Sequence, residues 1–241
     1  MKLAEIVSLV RAARTQPGEP KPVVVAGARE LVPLLARELR AGGERSAVRE
    51  GGAPRGAAVV VWIGKADEDA LRAASLARVP IVALTDGRSL PYVLDTNLVD
   101  VRPGEPLPVE RVAGAIARAL GSAGVGLAAR LPVLRKPLAE ELVRREARFA
   151  ALTSARGEPA EVMTVLANEQ VLLAGRIAEI YGGAASVAVR LALPLAALGA
   201  RTAGRKLAGR VPSKPVVRAV LAYGLVRAVG EAAHLSVRSR S

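Results

Sequence analysis

The chain has 241 residues, 51% of them hydrophobic, so it is long enough to bury one large core or two small ones. It has no cysteine and one histidine, which excludes disulfides and thiol chemistry and leaves little basis for a zinc site or a histidine-based triad. The net charge of +13 is uneven: residues 1–121 carry 17 Lys and Arg against 14 Asp and Glu, and residues 122–241 carry 18 against 8. After Gly182 there are ten basic residues and one acid, so an anionic partner is expected to bind the C-terminal third.

The first half of the chain alternates between short apolar runs and longer amphipathic stretches. Residues 1–14 mix apolar with charged side chains, which predicts an amphipathic helix too charged for the core of a signal peptide. Apolar runs predict strands at residues 22–27, 56–64 and 80–85, and an edge strand at residues 92–101. Apolar residues at helical spacing predict helices at residues 28–41, 67–79 and 108–120.

Strands that alternate with helices predict a parallel sheet with helical crossovers. The expected fold class is α/β, a small parallel α/β sandwich of three to four strands over residues 1–121, Rossmann-like but without a P-loop. A flexible boundary is predicted at residues 121–126. A helical connector over residues 122–160, interrupted early by Pro132 and Pro137, is expected to lead into an all-α, Gly/Ala-rich basic domain over residues 161–241.

Three places in the α/β half invite a nucleotide or metal interpretation. The turn at residues 26–29 (Ala-Gly-Ala-Arg) follows a strand and opens a helix, but it has neither a P-loop nor a dinucleotide-binding pattern. Residues 85–87 (Thr-Asp-Gly) stand where a GTPase reads guanine, but the Asn and Lys of that motif are missing, so a type I turn is predicted. The acids at residues 67–69 could hold Mg²⁺, although acids at a helix start are more often caps.

Catalytic chemistry has little support in this composition. No cysteine is present, and no serine or threonine is recognisably paired with a base. We therefore expect a non-catalytic protein with no cofactor and no metal. A degenerate, GTPase-like nucleotide-binding module remains an alternative.

Residues 162–181 form the most strongly periodic helix of the second half. One face is apolar over about four turns, and Gly182-Gly183 is expected to end the helix. The apolar residues at helical spacing are Val165, Leu166, Leu172, Leu173, Ile177 and Ile180.

The same helix carries a resemblance to a known family. Residues 164–170 (Thr-Val-Leu-Ala-Asn-Glu-Gln) with residues 176–182 (Arg-Ile-Ala-Glu-Ile-Tyr-Gly) resemble the helix that opens the C-terminal domain of the YcjF-like bacterial membrane proteins, a family of unknown function. Residues 222–233 (Ala-Tyr-Gly-Leu-Val-Arg-Ala-Val-Gly-Glu-Ala-Ala) resemble its closing helix. The resemblance covers only the C-terminal third, and it implies a membrane-associated bacterial protein that acts as a scaffold or as the partner of a GTPase.

The tail after Gly182 is apolar but interrupted by charge. Spanning a bilayer takes about 20 mostly apolar residues, whereas residues 183–200 contain Arg190 and Pro194, and residues 211–235 contain several charged side chains. We therefore expect these helices to lie on the cytoplasmic face of the inner membrane or to form a shallow hairpin. The connection between them has five cations and no acid. We predict that these cations contact anionic lipid or phosphate: Arg201, Arg205, Lys206, Arg210 and Lys214.

Two other interpretations of the tail remain open. Nucleic acid is disfavoured as the partner, because only 2% of the residues are aromatic and no helix-turn-helix or zinc pattern is present. The other interpretation is that the tail forms a soluble, cytoplasmic helical bundle with a solvated, anion-binding arginine face. Its Gly and Ala spacing would also suit a homo-oligomer.

Overall fold

The computed structural model describes residues 21–102, 104–156, 169, 172–181, 223–224 and 226–227. The chain divides into two compact units. We refer to Gly18–Leu138 as the sheet unit, and to the described residues from Ala139 onward as the helical unit. The helix predicted at residues 1–14 lies outside the described residues.

A five-stranded parallel sheet forms the centre of the sheet unit. Its strands are β1 (Val23–Gly27), β2 (Val48–Glu50), β3 (Val59–Ile63), β4 (Ile81–Thr85) and β5 (Leu98–Asp100), in the order β2-β1-β3-β4-β5. All four pairings are parallel. The α/β fold class is confirmed, but the prediction of three to four strands is corrected to five.

The strand count differs because the edge strands are short. β2 has three residues, and two of them, Arg49 and Glu50, are exposed, so the sequence there contains no apolar run. At the opposite edge, only the last part of residues 92–101 pairs with the sheet. The chain before β5 makes a 3-10 turn (Asp95–Asn97), in which Asn97 Nδ2 donates a hydrogen bond to the Ile81 carbonyl oxygen at 3.2 Å.

Three helices cover the two faces of the sheet. Helix α1 (Val32–Arg40) contacts β1 and β2, α3 (Val109–Leu120) contacts β3, β4 and β5, and these two helices also contact each other. Side chains alternate between the two faces of a strand. The sheet face that α1 and α3 cover therefore contains a set of buried valines: Val23, Val25, Val59, Val61 and Val82. Helix α2 (Glu68–Leu76) packs through Leu71 and Ala74 into a second apolar cluster that contains Val24, Val60, Trp62, Ile81 and Ala83.

The segment predicted to be a flexible boundary is helical. Residues 121–124 form a 3-10 turn, and α4 (Val125–Arg130) follows directly. Gly121 and Gly124 are buried, and a Cβ atom at Gly124 would lie 3.1 Å from Leu120 Cβ and 3.3 Å from Leu138 Cδ1. Gly124 therefore permits close packing, and the expectation of flexibility is wrong.

The two prolines of the expected connector behave differently. Leu131 has an extended backbone between α4 and the long helix α5 (Pro132–Arg156), so the chain is interrupted at Pro132 as predicted. Pro132 is the first residue of α5, where a proline costs no hydrogen bond. Pro137 lies inside α5 without ending it, so the prediction of a break there is wrong.

The described part of the helical unit contains the end of α5 and a helix over residues 172–180, which we label α6. Leu173, Ile177 and Ile180 are at most 1% exposed, and Leu172 is half-buried, so the predicted apolar face is confirmed for these residues. Val165 and Leu166 lie outside the described residues. The apolar face of α5 in this unit includes Leu142, Val143, Ala147 and Ala150, all buried.

Candidate functional site

The carboxyl edge between β1 and β3 is the first candidate, because the strand order reverses there and doubly wound sheets bind ligands at such a point. Gly27 ends β1 with φ of +115°. A Cβ atom at Gly27 would lie 2.1 Å from the Ile63 carbonyl oxygen of β3. Only glycine fits there, since both the backbone angle and the available space exclude a side chain.

The backbone of the chain itself fills the space between the carboxyl ends of β1 and β3, which we call the β1–β3 crossing point. The Ala28 amide, which follows β1, donates a hydrogen bond to the Ile63 carbonyl oxygen at 2.8 Å. A Cβ atom at Gly64 would lie 3.3 Å from Ala28 Cβ, so the loops after β1 and β3 are in close contact. One amide of this turn, that of Ala28, is thus already paired within the sheet unit and does not face an anion.

The acids after β3 act as a helix start. Asp67 is the N-cap of α2, and its Oδ1 accepts a hydrogen bond from the Ala70 amide at 3.1 Å. Glu68 and Asp69 lie in the first turn, where the helix dipole favours negative charge. Trp62 Nε1 donates to the Lys65 carbonyl oxygen at 2.9 Å and thereby fixes the loop that precedes the cap.

The turn after β4 is held by a hydroxyl group. Thr85 Oγ1 donates to the Arg88 carbonyl oxygen at 2.9 Å and accepts from the Arg88 amide at 3.1 Å. Gly87 has φ of +87°, which the central positions of a type I turn do not allow, so the predicted turn type is wrong. The Thr85 hydroxyl is occupied by the backbone of its own turn.

In the helical unit, a half-buried glutamate joins α5 to α6. Glu146 Oε1 lies 3.1 Å from Arg176 Nη1, and only 15% of the Glu146 side chain is exposed. The carboxyl groups of Glu146 and Glu169 are within hydrogen-bonding reach of each other. Burial, together with the negative charge of Glu169, raises the pKa of Glu146, and Arg176 partly offsets this increase.

A second glutamate of α5 is paired within the same helix. Glu141 is buried, and its two carboxylate oxygens lie 2.9 Å from Arg144 Nη1 and 2.9 Å from Arg145 Nε. These contacts are the i,i+3 and i,i+4 pairs that a helix permits. The sequence by itself did not indicate Glu146 as a paired, half-buried residue. Its partner Arg176 is 30 residues away, and no local spacing indicates that contact.

The five tail cations predicted as a lipid or phosphate site, from Arg201 to Lys214, lie outside the described residues. Asn168 and Gln170 of the stretch that resembles the YcjF-like helix, and the single histidine, His234, also lie outside them. Tyr181 and Tyr223 of the two resembling stretches are described and half-buried. Within the described ranges, no group of three or more His, Cys, Asp or Glu side chains is arranged to hold a metal ion.

One described helical stretch, Val109–Arg130, is long and apolar enough to cross a membrane. It has 22 residues and comprises α3, the 3-10 turn and α4. Of the apolar 18-residue segment within it, 56% is buried inside the protein. Helix α3 contacts three strands. The apolar residues of α3 are therefore used for packing against the sheet.

Fold and site together define a two-unit protein. A doubly wound α/β sheet with the 2-1-3-4-5 strand order of flavodoxin-like folds precedes a helical unit with a half-buried carboxyl–arginine cluster. Compared with known protein families, with curated proteins and with solved structures, the chain matches none of them.

Proposed function

We propose that this is a non-catalytic bacterial scaffold protein that associates with the cytoplasmic face of the inner membrane through the basic, apolar tail that follows Gly182 in the sequence. One observation carries the proposal. Residues 201–214 contain five cations and no acid between two apolar segments. Such a segment attracts anionic head groups, with about 1 kcal/mol contributed by each cation near the surface.

The sheet unit supports a binding role better than a nucleotide-dependent one. The β1–β3 crossing point is filled by the contact between Ala28 and Ile63, and Asp67 and Thr85 are engaged in a helix cap and a turn. These contacts count against the alternative of a degenerate GTPase-like module. The resemblance of residues 164–182 and 222–233 to the YcjF-like proteins favours a scaffold that works beside a GTPase.

Vesicle flotation of the full chain tests the proposal. We expect flotation with vesicles that contain phosphatidylglycerol, little flotation with phosphatidylcholine alone, and residual flotation at high salt because apolar insertion is not screened. Replacement of the five tail cations by glutamine should lower the partition coefficient by roughly a thousandfold or more, since each cation contributes about 1 kcal/mol. The matched control replaces five exposed cations of the sheet unit by glutamine: Arg29, Arg45, Arg55, Arg72 and Arg111.

Each outcome separates the open interpretations. Equal loss of flotation in both five-cation variants would mean that net charge alone drives binding, and the tail would lose its assigned role. No flotation of the unaltered chain would overturn the membrane proposal and favour the soluble helical bundle. Binding to duplex DNA that vanishes steeply with salt, without vesicle binding, would favour nucleic acid instead.

A further inference from the structure

The groups where α5 meets α6 and the nearby Glu169 contain more acid than base. Two carboxyl groups, those of Glu146 and Glu169, face one guanidinium group, that of Arg176. With both acids ionised, the three groups carry a net charge of −1. With one proton bound, they are neutral.

The surroundings make this charge imbalance matter. The Glu146 side chain is 15% exposed and the Arg176 side chain 35% exposed, so water screens the contact only partly. Among the described residues, the charged groups that act on the Glu146 carboxyl are Glu169 and Arg176. Arg144 and Arg145 contact Glu141 instead.

We propose that Glu146, Glu169 and Arg176 form a proton-dependent clasp, in which one proton shared between the two carboxyl groups holds α6 against α5. When the proton is present, one carboxyl donates a hydrogen bond to the other and Arg176 balances the remaining negative charge. When the proton leaves, two carboxylates oppose each other beside a single cation. The helix pair then opens more readily.

The direction of the pH effect follows from linkage. The pKa of Glu146 is raised in the folded chain, so the protonated form is favoured there more than in the unfolded chain. The stabilisation is fully present below about pH 4.3, the ordinary pKa of a glutamic acid. It is lost as the pH rises through the folded-state pKa. Each unit by which the folded pKa exceeds the unfolded one corresponds to about a tenfold increase in the opening equilibrium at high pH.

Hydrogen exchange of the full chain without lipid tests the clasp. After correction for intrinsic exchange rates, amides of residues 172–180 should lose protection as the pH is raised from about 4.3 through the folded-state pKa of Glu146. Glu169→Gln removes the second negative charge and keeps a hydrogen-bonding side chain, so the protection of this variant should depend less steeply on pH, because burial alone then raises the pKa of Glu146. Glu179→Gln removes an acid from α6 outside the clasp, and its profile should follow that of the unaltered chain.

The clasp would be overturned if the protection of residues 172–180 in the unaltered chain did not change with pH. It would also be overturned if protection fell equally steeply with pH in Glu169→Gln. If the variant does not fold, ¹³C NMR titration of the Glu146 carboxyl in the unaltered chain decides. Two titration steps, as coupled carboxyl groups give, support the clasp. A single step, or a midpoint at or below about 4.3, overturns it. Neither measurement involves a membrane, so failure of the clasp is distinguishable from failure of the proposed function.

Discussion

Arg130, the last residue of α4, is bound to Glu44 by two contacts of different kinds. Arg130 Nε lies 2.6 Å from Glu44 Oε2, and the Glu44 amide donates to the Arg130 carbonyl oxygen at 3.0 Å. Arg130 Nη2 also donates to Ser46 Oγ at 2.7 Å. The pair joins the turn before β2 to the end of α4, just before the long helix α5, across 86 positions of sequence.

We expect Arg130→Ala to lower the free energy of unfolding of the sheet unit by about 1–2 kcal/mol, because it removes charge-assisted hydrogen bonds from a side chain that is 15% exposed. Arg37→Ala is the matched control. It breaks an ion pair with Glu38 whose side chains are 74% and 45% exposed, and it should cost at most about 0.5 kcal/mol. Urea unfolding measures both, and equal losses would contradict the role assigned to Arg130.

Two glycine-to-alanine changes should have opposite effects. Gly27→Ala places a methyl group against the Ile63 carbonyl at a positive φ, and should destabilise by about 3 kcal/mol or more. Gly114→Ala lies inside α3, where the nearest neighbour of a new Cβ is the flexible end of Arg118 at 3.6 Å. It should stabilise by about 0.5–1 kcal/mol. Thermal unfolding gives both signs, and a stable Gly27→Ala variant would refute the close contact of β1 with β3.

Arg78 occupies the position after α2 where a glycine is usual. Its φ is +55°, and the chain makes the paired contacts of a helix-ending motif, from the Val79 amide to the Ala74 carbonyl at 3.0 Å and from the Arg78 amide to the Ser75 carbonyl at 2.9 Å. Arg78→Gly should therefore stabilise the chain by about 0.5–1 kcal/mol. Arg72→Gly, in the exposed interior of α2, should destabilise by about 1 kcal/mol. Loss of stability in Arg78→Gly would rule out the left-handed cap.

The buried face of α6 predicts a difference between two apolar residues of the helical unit. Ile177 is completely buried, so Ile177→Ala should lower the stability of this unit by about 2–5 kcal/mol. Leu152 in α5 is 62% exposed, and Leu152→Ala should change stability by less than about 0.5 kcal/mol. Hydrogen exchange of residues 172–180 reports both, and similar protection in the two variants would contradict the packing of α6.

The sequence by itself determined the features that a few neighbouring residues encode. The apolar runs of β1, β3 and β4 predict parallel strands, and the acids from Asp67 onward predict the start of α2. Leu173, Ile177 and Ile180 predict the buried face of α6. Each of these rests on a period or a cap within one element, and each is confirmed by the described residues.

The tertiary structure alone decided what depends on distant partners. β2 has one buried residue and pairs only because β1 lies beside it. Gly124 permits packing because Leu138 comes close to it, and Gly27 is required because the Ile63 carbonyl is near. Glu146 differs from the exposed Glu140 because Arg176 of α6, together with Glu169, comes close to it. Burial and charge pairing depend on which elements meet in space, and local spacing carries no information about that.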